Sequence, residues 1–167
     1  TAQRLTEYAQ TRLLMLASAQ LKAYNSADLK AFCACYAPHV SAARDGEVLF
    51  EGHALLRERY APLFEGGAFG AEVTERWLDP VITHDQREVR VSCVDVEEWW
   101  RGSAEAYTSG KVWVRYHLSL SLDQLNALTQ DLHHTYSDAE LEAFEERLAV
   151  LIERVEFSSS ELTQSAQ

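Results

Sequence analysis

Basic residues are scarce in this chain: Lys and Arg number 15 against 26 Asp and Glu over 167 residues, a net charge of −11. A phosphate backbone or an anionic bilayer surface is repelled by that average field, so no nucleic acid and no membrane is expected as a partner. Cysteine is equally thin. Cys33, Cys35 and Cys93 are too few, and odd in number, for a disulfide framework, and no stretch has the basic start, apolar middle and small-residue end of a secretory leader. A reducing, cytoplasmic setting is the expectation. No apolar run exceeds a handful of residues, where a spanning helix needs roughly 20. Internal repeats and an interdomain linker are also missing, which leaves one domain, residues 1–157, followed by a polar tail, 158–167.

What is present is ordinary for a globular protein. Hydrophobic residues make up 47% and charged residues 25%, and a chain of this length buries roughly 70% of its unfolded surface. Leu5, Tyr8, Ala9, Leu13, Met15, Leu16, Ala19, Leu21 and Tyr24 recur at intervals of three and four, which predicts a long amphipathic helix over 2–24. Ser26 stands as the N-cap of a second helix, 27–36, which Pro38 ends. The period then becomes that of strands. Asp45-Gly46 joins two short runs, 40–43 and 48–51, into a hairpin. Gly52 opens a third helix that Gly66-Gly67 stops, and three long strands follow at 71–83, 88–100 and 111–121. Residues 125–134 read as a further strand with a helix as the alternative. Ser137-Asp138-Ala139-Glu140 matches a capping box and predicts a C-terminal helix over 137–156. Helices first and strands after give an α+β class, with a mainly antiparallel sheet covered on one face by helices.

Three stretches carry a family resemblance: Ala23-Tyr24-Asn25-Ser26-Ala27-Asp28-Leu29, Cys35-Tyr36-Ala37-Pro38-His39-Val40 and Gly52-His53-Ala54-Leu55-Leu56-Arg57-Glu58-Arg59-Tyr60. Together they resemble the nuclear transport factor 2 superfamily in its SnoaL-like and ketosteroid-isomerase-like branch, over roughly residues 5–134. The resemblance implies a cone-shaped, cystatin-like curved antiparallel sheet wrapped around the N-terminal helices, with an apolar cavity that takes a small lipophilic molecule. The predicted C-terminal helix is additional to that pattern. Members include isomerases, dehydratases, hydrolases, and binding or assembly modules, so the fold does not choose among them.

The strand 88–100 puts Val89, Val91, Cys93, Asp95, Glu97 and Trp99 on one face. Asp95 is the sharpest candidate for catalysis. Among Val91, Cys93 and Trp side chains its carboxylate would lose hydration and become a proton carrier near neutral pH. Were the opposite face, with Val94 and Val96, the buried one, Asp95 would be a solvated charge. The family's epoxide hydrolases place an Arg two residues before such an Asp, where Cys93 stands here, and a second Asp on the last strand, for which Gln130 or Asp131 would have to serve. Its ketosteroid isomerases use an Asp from the first hairpin, near Asp45, and a second Asp on the strand that here carries Val114, Tyr116 and Leu118. Neither mechanism transfers intact. Tyr24, Tyr60, Trp77, Trp99 and Tyr116 are the candidate ligand-binding residues, with the Tyr hydroxyls as hydrogen-bond handles.

His117 shares a face with Trp113 and Arg115, the outer side of the sheet, through which the family resemblance implies a homodimer. His133-His134 on a strand would point to opposite faces, and Cys33 and Cys35 on a helix would splay apart, so no metal is expected. No cofactor is expected either. Two functions remain open: an isomerase, dehydratase or hydrolase acting through Asp95 on a bound lipophilic molecule, or a non-catalytic binding or assembly module.

Overall fold

The computed structural model describes residues 2–82, 87–102, 106–130, 150–160 and 162. The elements run α1 (Ala2–Asn25), α2 (Leu29–Ala34), β1 (Tyr36–Arg44), β2 (Glu47–Glu51), α3 (His53–Gly66), β3 (Phe69–Ile82), β4 (Glu88–Gly102), β5 (Tyr107–Ser121), α4 (Leu122–Gln130) and β6 (Ile152–Ser158). The six strands form one curved sheet in the order β2-β1-β6-β5-β4-β3. Only β1 and β6 run parallel; every other neighbouring pair is antiparallel. The expected α+β class, with helices on one face of a mainly antiparallel sheet, is what forms.

α1 lies across the inner face of β3, β4 and β5. Leu5, Ala9, Leu13, Leu16 and Ala17 are its buried stripe, meeting Val89, Val91 and Cys93 of β4 and Leu118 and Leu120 of β5 in one core. Each fully buried Leu or Val there contributes about 1.5–3 kcal/mol of transfer free energy. Met15, assigned to that stripe by spacing alone, is instead exposed. At its C-terminal end α1 is pinned to the edge strand. The Asn25 side chain donates to the Ala71 carbonyl at 3.0 Å and accepts from the Ala71 amide at 2.9 Å, occupying the hydrogen bonds of a missing strand.

The second helix starts later than expected. Asp28, not Ser26, is its N-cap, accepting from the Ala31 amide at 3.1 Å, after Ala27 takes a left-handed φ of 53°. It also ends sooner, because Tyr36 already belongs to β1: the Cys35 carbonyl accepts from the Ile152 amide of β6. The Asp45-Gly46 hairpin forms as expected, both residues having positive φ.

Two late segments depart from the local pattern. Residues 122–130 are helix, capped by a reciprocal pair in which the Gln124 amide donates to Ser121 Oγ and the Ser121 amide to Gln124 Oε1. The expected helix over 137–156 does not extend through 152–156: Ile152–Ser158 is β6, and residues 137–149 lie outside the described residues. β6 fits between β1 and β5 and satisfies the backbone groups of both, a non-local gain that outweighs helical spacing. Ser158, assigned to the tail, closes that strand and is buried.

Two glycines let indoles lie flat on the sheet. A Cβ at Gly110 would stand 2.7 Å from the Trp99 ring, and one at Gly70 2.7 Å from the Trp100 ring, on neighbouring positions of opposite faces. Gly110→Ala is therefore expected to displace Trp99, lowering stability by about 1–3 kcal/mol and shifting the tryptophan emission, as read by urea denaturation and fluorescence.

Candidate functional site

β4 is buried on both faces from Val91 to Glu97. Its inner face, toward α1, carries Cys93, Asp95, Glu97 and Trp99; the outer carries Val94 and Val96, opposite Trp113 and Arg115 of β5. Both faces of this strand are thus buried, and Asp95 is not a solvated charge but wholly buried.

What keeps Asp95 company is decided by an irregularity in β3. Val73 pairs with Glu97, but a one-residue bulge follows, so Glu75 pairs with Val96, Arg76 with Asp95 and Trp77 with Val94. Without the extra residue, Arg76 and Trp77 would exchange faces. The bulge aims Arg76 inward, where its Nε and Nη2 donate to the two Asp95 oxygens at 2.6 and 2.8 Å and its Nη1 donates to Ser18 Oγ on α1 at 3.0 Å. Cys93 Sγ donates weakly to Asp95 Oδ1 at 3.5 Å. The cation absent at position 93 arrives from the neighbouring strand. Its bonds to Asp95 raise the Arg76 pKa further still.

The same bulge puts Trp77 on the outer face, with a buried indole N–H that has no hydrogen-bond partner among the described residues. His117 is also outer, as expected, its Nε2 2.8 Å from Glu156 Oε2; burial lowers its pKa against the pull of that carboxylate. Asp45 sits in the exposed hairpin turn. Gln130 ends α4, and Asp131, His133 and His134 lie outside the described residues. Cys33 and Cys35 are buried, with thiol pKa values raised by that burial.

Between α1, α2, α3 and the inner sheet lies a cavity of about 540 Å³. Tyr24, Tyr60, Trp99 and Tyr116 line it; Asp95 and Trp77 do not. Its aromatic wall is interlocked, Phe32 and Tyr60 with ring centroids 4.7 Å apart and Tyr24 and Phe69 at 4.9 Å. The carboxylate it contains is Glu97, 8% exposed. Tyr116 Oη donates to Glu97 Oε1 at 3.1 Å and accepts from Gln20 Nε2 at 2.8 Å, while Gln20 Oε1 accepts from Tyr36 Oη at 3.0 Å. A buried polar chain thus runs Tyr36–Gln20–Tyr116–Glu97. Burial, then the negative charge of Asp95, push the Glu97 pKa up to about 7, against the lowering effects of the Tyr116 bond and Arg76. Burial also raises Tyr60 to about 12 and lifts Tyr36 and Tyr116 well above their usual range, so all three phenols stay protonated at neutral pH.

Sequence reasoning named Glu97 only as the neighbour of Asp95, and passed over Gln20, whose signal was a polar residue one turn past Leu16 on the buried stripe of α1. The rim cations described below gave no local signal.

The sequence matches no family model and no curated protein. Solved structures match it over most of its length. A nuclear transport factor 2-like protein of unknown function from Pseudomonas putida KT2440 covers 98% of this chain and 96% of its own, at a TM-score of 0.58 and 10% identity. A nuclear transport factor 2-like protein with a cystatin-like fold from Novosphingobium aromaticivorans covers 90% and 81%, at 0.54 and 11%. A ketosteroid isomerase-like protein from Erwinia carotovora atroseptica SCRI1043 covers 91% and 96%, at 0.52 and 16%. The chain has the nuclear transport factor 2-like, cystatin-like fold. In this cystatin-like fold the cavity sits where the N-terminal helices face the sheet, and no helix among the described residues is long and apolar enough to cross a membrane.

Two outcomes are expected. Between pH 4.5 and 7 native Glu97 holds a proton that the unfolded chain has released, so its contribution to stability is complete below 4.5 and is lost as the pH rises through 7. Urea denaturation should show up to about 3 kcal/mol of that loss in the unsubstituted chain and its removal in Glu97→Gln. Arg76→Met strands a buried carboxylate and should cost about 3–5 kcal/mol, part of which Asp95→Asn restores in the double variant.

Proposed function

We propose that the cavity binds a flat, mostly apolar carbonyl compound and that Glu97, rather than Asp95, moves its proton. The observation that carries this reading is a buried carboxyl that lines an aromatic cavity and accepts from Tyr116, its pKa pushed up to about 7 by burial. A group so tuned is about half ionised at neutral pH, the condition under which one side chain serves equally as base and as acid. Asp95 has both oxygens engaged by Arg76, whereas Glu97 has one hydrogen-bond donor in Tyr116.

In this reading the Glu97 carboxylate takes a proton from the carbon beside the carbonyl. The electrons of the C–H bond move into the new C=C bond, and negative charge gathers on the carbonyl oxygen. Tyr60, whose hydroxyl has no hydrogen-bond partner among the described residues, donates to that oxygen. Tyr116 and Gln20 hold Glu97 in place from behind. Return of the proton from Glu97 to a different carbon isomerises the compound; its transfer instead to a β-hydroxyl, whose C–O bond breaks as the enolate collapses to the conjugated carbonyl, releases water and dehydrates it. The Erwinia neighbour described as ketosteroid isomerase-like supports the class of chemistry through its fold alone.

The test is deuterium exchange at the carbon beside the carbonyl, followed by NMR in deuterated buffer with a panel of aryl and alicyclic ketones. The unsubstituted chain should accelerate exchange with a pH midpoint near 7, Glu97→Gln should lose about 10²–10⁴-fold and Tyr60→Phe about 10²-fold. Ketones that bind without exchanging would instead leave a non-catalytic binding module.

A further inference from the structure

The charges around the cavity are distributed against the composition of the chain. Acids outnumber bases 26 to 15 overall, yet among the described residues every exposed charged side chain that lines the cavity is a cation: Arg44 from the end of β1, Arg59 from α3, Arg101 from the end of β4 and Lys111 from β5. Four separate elements converge to place them at one mouth. Among the described residues, none of the four has a carboxylate within salt-bridge distance.

Two of these cations are held by the cavity's own walls. The Arg101 guanidinium lies over the Trp99 ring, 5.6 Å from its centroid, and that of Arg44 over the Phe157 ring at 5.8 Å. A guanidinium stacked on a ring keeps its in-plane N–H groups free to donate, and it is held in place before any ligand arrives. The charge of Arg101 also opposes the rise that burial imposes on the Tyr24 pKa. Lys111 stands with its ammonium 5.1 Å from the Trp113 ring, toward the outer side of the mouth. The one carboxylate of the lining among the described residues, Glu97, is buried.

We infer that the ligand of this cavity is an amphipathic organic acid, its apolar body among the aromatic walls and its anionic end at the Arg44–Arg59–Arg101 mouth. The inference rests on the cavity being a binding site, as proposed above, and adds the charge and the orientation of what binds. An anion that entered acid-first would meet Glu97 in a site with little water, whereas one that entered body-first leaves its charge against the guanidiniums and presents its uncharged end to Glu97. Carboxylate and guanidinium match as forks, which favours an acid over a neutral polar end of the same size.

The test is calorimetric titration of the full chain with matched pairs of a carboxylic acid and its primary amide, naphthylacetate with naphthylacetamide and cyclohexylacetate with its amide. At low ionic strength the acid should bind on the order of tenfold tighter than the amide, since each exposed cation contributes a few-fold. That ratio should shrink toward one in about 0.5 M salt and in the double variant Arg59→Gln, Arg101→Gln, whereas Arg90→Gln, an exposed arginine away from the cavity, should leave it unchanged. Amides that bind as tightly as acids to the unsubstituted chain would overturn the inference while leaving the cavity reading standing. An acid preference that survives the double variant would place the anion elsewhere and overturn it too. Failure of every acid and amide to bind would remove both readings together.

Discussion

The Arg76–Asp95 ion pair is the constraint on which the site depends. A carboxylate with no exposed surface in the middle of a sheet persists only if its charge is met at once, and Arg76 meets it with two short bonds in the fork geometry that guanidinium and carboxylate share. That arrangement exists because β3 carries one extra residue after Val73, which turns Arg76 inward and Trp77 outward. The consequence falls on the next inward position of β4. Among the described residues Glu97 has no salt-bridged cation, and it stands buried in the field of Asp95, so the two carboxyls of one strand, two residues apart, have different environments. One is a charge held by a bidentate ion pair, and the other is a carboxyl whose pKa burial raises.

The polar chain behind Glu97 works by the same logic. Gln20 interrupts the apolar stripe of α1, and a buried amide is costly unless its donors and acceptor are engaged. Here the Gln20 NH₂ donates to Tyr116 and to the Ala17 carbonyl while its oxygen accepts from Tyr36. The chain ties α1 to β1 and β5 with a fixed direction of hydrogen bonding, and that direction delivers the Tyr116 proton toward Glu97. Tyr116 is so committed, whereas the hydroxyls of Tyr24 and Tyr60, which line the same cavity, are outside this chain of hydrogen bonds.

Much of the architecture was legible because the elements are locally self-consistent. The hairpin turn at Asp45-Gly46, the helix opened by Gly52 and the three long strands each carry their own turn or period signal, and the elements fall within a few residues of the expected bounds. β6 was illegible for a physical reason: Leu148, Leu151, Ile152 and Val155 satisfy helical spacing, and only the presence of two unpaired strand edges, on β1 and β5, makes the extended form better. The capping pair Ser121–Gln124 was a readable sign for α4 that the mediocre strand propensity of 125–134 obscured. For the site, alternation along β4 brought Asp95 and Glu97 to one face, but choosing between them required knowing the register of β3. A bulge leaves no signature in the strand opposite, so the two bonds that Arg76 makes to Asp95 could not be read from sequence. Trp77 was misplaced by the same single residue.

The overall charge of −11 and a mouth of arginines act at different ranges and do not conflict. At physiological ionic strength the field of dispersed surface carboxylates fades over about 8 Å, so an approaching anion is opposed only weakly until it nears the surface. Once there, the nearest charges are the guanidiniums, backed by aromatic rings, and their field is concentrated by the low-dielectric walls of the cavity. A polyanion, whose charges extend past the mouth, meets the acidic surface around it; a small molecule with one charged end does not. The distribution of charge therefore selects by the size of the charged part as well as by its sign, and the exclusion of nucleic acid drawn from composition is compatible with the attraction of a small acid.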